Sequence, residues 1–227
     1  MSSMELIQIP VKPGAYEKPE RTNNNIPAKK YDRIDEVCQK KVFLSNDGNA
    51  YVPQDSMNVI FNTTRSSGQY IYDNILDDED KRVINGINAV KSSSVVGELD
   101  KRSHELREAD KADLHRYARD SLLGIGDSDQ AEGIRRRLDT HTSKELTRLK
   151  KQRGVQNDEI TGEPLKKNSA FHHLKPKAIF TDPVAVLDET KGINVNFDTH
   201  AEIHKRNIRS EAELERNIES IRSALRG

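Results

Sequence analysis

Residues 158–208 read DEITGEPLKKNSAFHHLKPKAIFTDPVAVLDETKGINVNFDTHAEIHKRNI and hold four of the chain's seven histidines. Phe197 to His204 has the signature of a helix start, because Thr199 followed by Glu202 has capping-box spacing and Asp198 is an alternative cap. His200 and His204 stand four apart, so their imidazoles project from one helix face and can hold one ion together. Upstream, Ala170-Phe171-His172-His173-Leu174 is short, partly apolar and closed by Pro176, which predicts a strand running into a loop. Adjacent side chains of a strand point to opposite faces. One histidine of the pair can therefore join the helical two on a metal while its neighbour faces elsewhere as a general base.

This constellation resembles the HNH nuclease motif. Its HH followed by HxxxH is most similar to the nuclease domains of colicins and pyocins, and Asp158 to Glu163 resembles the segment before the first histidine of many HNH proteins. The resemblance spans about 50 residues. It implies a ββα-metal fold, two short strands and a helix around one divalent ion, with His172, His200 and His204 as ligands and His173 as the base that activates water. The implied reaction is phosphodiester hydrolysis, by default of DNA, leaving 5′-phosphate and 3′-hydroxyl ends. Lys175, Lys177, Lys205 and Arg206 adjoin the histidines as candidate phosphate contacts. Three imidazoles favour Zn²⁺ or Ni²⁺ by affinity, while Mg²⁺ is more abundant and Mn²⁺ is a further option. The sequence departs from the family twice. The middle Asn should fall near Lys191 or Gly192, where only a shifted register would bring in Asn194 or Asn196, and the acidic position two before the HH pair is Ala170.

A zinc protease is disfavoured, because its helix motif puts Glu directly after the first His and Ala201 stands there. Two function classes follow. One is an endonuclease of phage, mobile-element, defence or toxin type, whose partners would be DNA and an inhibitor or immunity protein or a second copy of the chain. The other is a non-catalytic, metal-stabilised module that binds nucleic acid or protein. His173 separates them, since a nuclease keeps it off the ion and a structural site engages all four imidazoles. His104, His115 and His141 have no ligand partner at useful spacing and read as surface or packing residues.

The rest of the chain predicts a thin core. Hydrophobic residues make up 33%, aromatics 5%, mean hydropathy is -0.84 and charged residues reach 33%, so long solvated helices are expected. The formal net charge of +0 conceals -5 over residues 1–132 and +5 beyond. Cations concentrate between Gly133 and Lys177, a density able to face a phosphate backbone, although the simplest reading is a solvated helix face. With Cys38 as the only cysteine, neither an internal disulfide nor a Cys-based zinc site is expected. No secretory signal or membrane-spanning run is visible, so a cytoplasmic protein is expected, with export lacking a cleavable signal left open.

The expected class is α+β. Residues 1–30, with four prolines and Asn23-Asn24-Asn25, read as a flexible arm. Residues 31–95 read as a small strand-containing region: a hairpin of 41–44 and 50–52 around Asn46-Asp47-Gly48, then strands at 58–61 and 69–75. The acidic run Asp77 to Asp80 suits a helix start, and residues 96–154 read as a helical hairpin broken at Gly124 to Asp127. Residues 155–227 form the expected nuclease domain. Its last helix, Ser210 to Arg226, carries Leu214, Ile218, Ile221 and Leu225 at helical spacing and reads as packing.

Overall fold

The computed structural model describes residues 5–175 and 187–226, which divide into two compact units, Glu5–Arg137 and Leu138–Gly227. The chain is mixed α+β. Among the described residues no helix is long and apolar enough to cross a membrane.

The first unit is an antiparallel sheet of order β1-β2-β3-β5-β4, formed by β1 (Gln8–Pro10), β2 (Phe43–Ser45), β3 (Ala50–Pro53), β4 (Lys81–Ile84) and β5 (Ile87–Lys91). Alternation along the strands builds two cores. Leu44, Ala50, Val52 and Val90 face the main one, and Phe43, Tyr51, Ile84 and Ala89 a smaller one on the opposite face. The predicted hairpin forms as β2–β3, with Asp47 closing its turn by accepting from Asn49 N at 2.9 Å and Tyr51 OH at 2.6 Å. Helices α1 (Ala28–Lys40), α4 (Ser92–Glu105) and α5 (Ala109–Gly126) cover the main core, where Ile34, Leu99, Leu114 and Leu122 are buried.

Four expectations are corrected in this unit. Residues 5–30 are not a loose arm. Gln8, Ile9 and Pro10 pair with β2, Val11 and Ile26 are buried, and Lys18 and Arg21 reach Asp35 at 3.0 and 2.9 Å. The strands expected at 58–61 and 69–75 are helices α2 (Met57–Ile60) and α3 (Arg65–Asn74). Thr64 caps α3 by accepting from Ser67 N, and Gly68, Ile71 and Tyr72 bury at helical period, which overrides local strand propensity. The acidic run forms a short 3-10 turn leading into the β4–β5 hairpin, whose Asn85-Gly86 corner has φ of 50° and 77°, the left-handed pair a tight hairpin demands. Finally, the first helix of the expected hairpin divides at Leu106 to Glu108 into α4 and α5, which pack on each other. The unit boundary falls within α6 (Asp129–Gln152), inside the expected 96–154 region.

The second unit holds the C-terminal part of α6, an antiparallel pair β6 (Ala170–His173) and β7 (Gly192–Val195), and helices α7 (Phe197–Lys205) and α8 (Glu211–Arg226). Ile160, Val195, Ile203, Ile208, Leu214 and Ile221 form its core, with Ile218 and Leu225 against it, so α8 packs as its periodicity predicts. Arg206 ties α7 to α8, donating to Ser220 Oγ at 2.6 Å, and Arg222 reaches the Ile160 carbonyl at 2.7 Å.

Candidate metal centre

The centre begins with a tight turn. Residues 156–165 fold back on themselves, with Leu165 N on the Gln156 carbonyl and Asp158 N on the Glu163 carbonyl at 2.8 and 2.7 Å, and Gly162 at φ 78° turns the corner. Asp158 is buried at its root and accepts four hydrogen bonds. Ile160 N and Thr161 N reach Oδ1, each at 2.9 Å, while Asn196 N and Thr199 Oγ1 reach Oδ2, each at 2.7 Å. Burial pushes this carboxyl up, yet the four donors outweigh burial and hold it below the usual carboxylate range. One side chain thus fixes the turn to the start of α7.

That start differs from the expected capping box. Asn196 is the N-cap residue, its carbonyl accepting from His200 N at 2.9 Å. Thr199 donates to Asp158 instead of capping, Glu202 pairs with Arg206 at 2.8 Å, and Asp198 pairs with Lys166 at 3.1 Å. Asn196 also accepts from Lys166 N at 2.8 Å and donates to the Pro164 carbonyl at 3.2 Å, so its side chain holds the turn.

Strands β6 and β7 pair with His172 opposite Ile193 and His173 opposite Gly192. His172 lies on the strand face that meets α7, where His200 and His204 occupy successive turns. Ligand atoms of His172, His200 and His204 all lie within 4.8 Å of one another, with His200 and His204 Nε2 at 3.2 Å. His172 is buried, and burial followed by the neighbouring His200, His204 and His173 pushes its pKa down to about 4. Burial first, then His204, also lowers that of His200. Near neutral pH His172 therefore carries a free lone pair, the form a metal requires.

His173 stands on the other strand face with Phe171, ring against ring at 5.1 Å. Arg153 stacks over Phe171 at 5.7 Å, donates to the Gly192 carbonyl at 3.1 Å and grips Glu159 with two 2.9 Å bonds. Glu159 in turn accepts from Asn194 N at 2.5 Å. Lys150 donates to Ser169 through its carbonyl and, at 2.8 Å, its hydroxyl. Lys150 and Arg153 thereby bind the end of α6 to the strand pair.

Of the candidate phosphate contacts, Lys175 and Lys205 are exposed, Lys205 lying 3.5 Å from Glu202. Arg206 is engaged by Glu202 and Ser220, and Lys177 lies outside the described residues. Around the expected middle Asn, Lys191 is exposed and Gly192 opens β7, while Asn194 is buried and donates to the Lys150 carbonyl at 3.4 Å. Elsewhere His115 is buried with Nε2 at 2.9 Å from the Phe61 carbonyl, a packing role, and His104 and His141 are exposed. The roles of Asp158, Arg153 and Gly192 depend on partners brought together by the fold. Only Asp158 had a local signal, an Asp shortly before Gly162 in a turn-forming run.

No protein-family model matches the chain, and neither curated proteins nor solved structures give a significant match.

Proposed function

We propose that the second unit is a metal-dependent endonuclease of the HNH type, a ββα-metal fold that hydrolyses DNA phosphodiester bonds with one divalent ion. The observation that carries this reading is the meeting of His172, His200 and His204, from a strand and a following helix, within 4.8 Å. The donor set fits a divalent ion, since three imidazoles converge and the buried one is neutral at physiological pH. The number of ligands supports catalysis over a purely structural site. Among the described residues the cluster has three members and omits His173, and three protein ligands leave a coordination position for water or substrate.

When bound, the ion supplies Lewis-acid stabilisation of the charge that develops on the phosphate and the departing 3′ oxygen. His172, His200 and His204 would hold it. His173, whose ring meets Phe171 edge-on at 5.1 Å, accepts the proton of the attacking water, and the products carry 5′-phosphate and 3′-hydroxyl ends. Lys175 and Lys205 are exposed cations suited to the flanking phosphates.

Supercoiled plasmid incubated with Mg²⁺, Mn²⁺ or Zn²⁺ tests the proposal. The expected result is nicking and linearisation that chelator abolishes and that His173→Ala reduces by at least about 100-fold, the lower range for a positioned general base. An inert wild-type protein, or a His173→Ala variant that cuts equally well, reassigns the unit to a metal-stabilised binding module.

A further inference from the structure

The cations of α6 fall into two sets. Lys150 and Arg153 turn inward and are consumed by Ser169, Glu159 and the Gly192 carbonyl. Lys144, Arg148 and Lys151 recur at four- and three-residue intervals, which puts them on one helix side, and all three are exposed. Among the described residues Lys144 and Lys151 have no ion-pair partner, and Arg148 has only Glu145 at 3.6 Å, a surface contact worth little. The row is thus three exposed cations, two without a counter-ion among the described residues and one with a weak surface pair.

We infer that this row is a docking surface for the backbone phosphates of the nucleic acid that the histidine centre is proposed to cut. This rests on the nuclease reading and extends the substrate contact to an element outside the strand pair and α7. The dimensions suit it. Lys144 to Lys151 spans about 10 Å at the helical rise, the axial length of about three phosphate-to-phosphate steps along one duplex strand. The placement suits it as well. Lys150 and Arg153 fasten this same stretch of helix to the strands bearing His172 and His173, so a strand lying on the row is held at a fixed distance from the histidines. Phosphate contacts of this kind set register and carry no base information, so the row positions DNA without choosing its sequence.

The test is binding in chelator by the full chain, with no cleavage to complicate it. Affinity for a short labelled DNA duplex is measured by fluorescence anisotropy across about 50 to 200 mM salt, because each neutralised phosphate contributes about 0.9 to the slope of log affinity against log salt. The variant Lys144→Gln/Arg148→Gln/Lys151→Gln should lose about 2 to 3 from that slope. A control, Lys29→Gln/Lys30→Gln/Arg33→Gln in α1, should keep the wild-type slope, and circular dichroism should show both variants folded. An unchanged slope in the α6 variant overturns the inference, as does an equal loss in the control. Competition by polyglutamate as effective as competition by DNA of equal charge would also overturn it, reassigning the row to acidic proteins. The two readings fail separately. Plasmid cleavage by the wild type with an unchanged slope in the variant removes the row alone, whereas row-dependent binding by a protein that never cuts removes the nuclease alone.

Discussion

His200 and His204 present their Nε2 atoms 3.2 Å apart on successive turns of α7, and a ligand nitrogen of His172 from β6 completes a cluster within 4.8 Å. Three donors on two elements make metal binding and local packing one event, since no short peptide spans strand and helix together. The chain should bind one Zn²⁺ or Co²⁺ by calorimetry. His200→Ala or His204→Ala should weaken binding by more than about 100-fold, beyond the range for losing a residue that merely supports a ligand. Equal affinity in wild type and both variants would dissolve the centre.

The metal-free protein should lose stability as pH falls from about 6.5 toward 4. Folded His172 stays neutral until about pH 4, held down by burial and then by its histidine neighbours, whereas an ordinary histidine protonates near 6.5. Below 6.5 the unfolded chain therefore gains a proton that the folded chain refuses. Stability is complete above that pH, declines through the window and levels off below about 4, with a total loss on the order of 3 kcal/mol. Urea denaturation followed through the methyl signals of Val195 and Ile203 reports this unit directly. His172→Asn should flatten the dependence, and parallel pH curves for the two proteins would contradict it.

Asp158 should matter to metal binding without touching the metal. Its carboxylate accepts from both the 158–163 turn and the first turn of α7, so Asp158→Ala leaves four donors without their acceptor. The expected cost is about 3 kcal/mol, with a milder loss of about 1 kcal/mol for Thr199→Ala, which removes one donor. Because α7 carries His200 and His204, Asp158→Ala should also weaken Zn²⁺ binding by about 10-fold or more, as losses in a supporting shell do. Thermal melts and zinc titration check both effects, and a variant as stable as wild type would show the turn and helix are held otherwise.

What sequence made visible here depended on the range of the interaction. The His200/His204 pair, the α8 stripe and the Asn46-Asp47-Gly48 hairpin are local patterns, read from residues a few positions apart. The divided α4–α5 and the helical α2 and α3 are tertiary outcomes, in which burial against the sheet overrode weak local preferences. Asn85-Gly86 was a strong turn signal masked by the preceding acidic run, which suggested a helix start. Neither the strapping of residues 5–30 by Asp35 and β2 nor the link from Glu159 to Asn194 follows from spacing, because their partners are far apart in sequence. The same distance hid why a glycine stands at 192.

Gly192 is extended, with φ at -164°, a conformation any residue adopts, so its role is space. It pairs with His173 across the strands, and a Cβ there would strike the Phe171 ring and come within 2.7 Å of the His172 carbonyl. Phe171 occupies that vacant volume, sandwiched by Arg153 on one side and edge-on to His173. Gly192→Ala should therefore displace the aromatic ring behind the proposed base and cost about 1–3 kcal/mol from overpacking. Under the nuclease reading it should also lower cleavage by about 100-fold, the scale of a base moved by about 1 Å. Adding Phe171→Leu should relieve the ring clash and recover part of the stability. It should recover little activity, since the His172 carbonyl still meets the new methyl and His173 has lost its aromatic neighbour. Stability and plasmid cleavage measured on the single and double variants separate the two contributions. If Gly192→Ala cuts as fast as wild type, the Phe171 ring does not position His173.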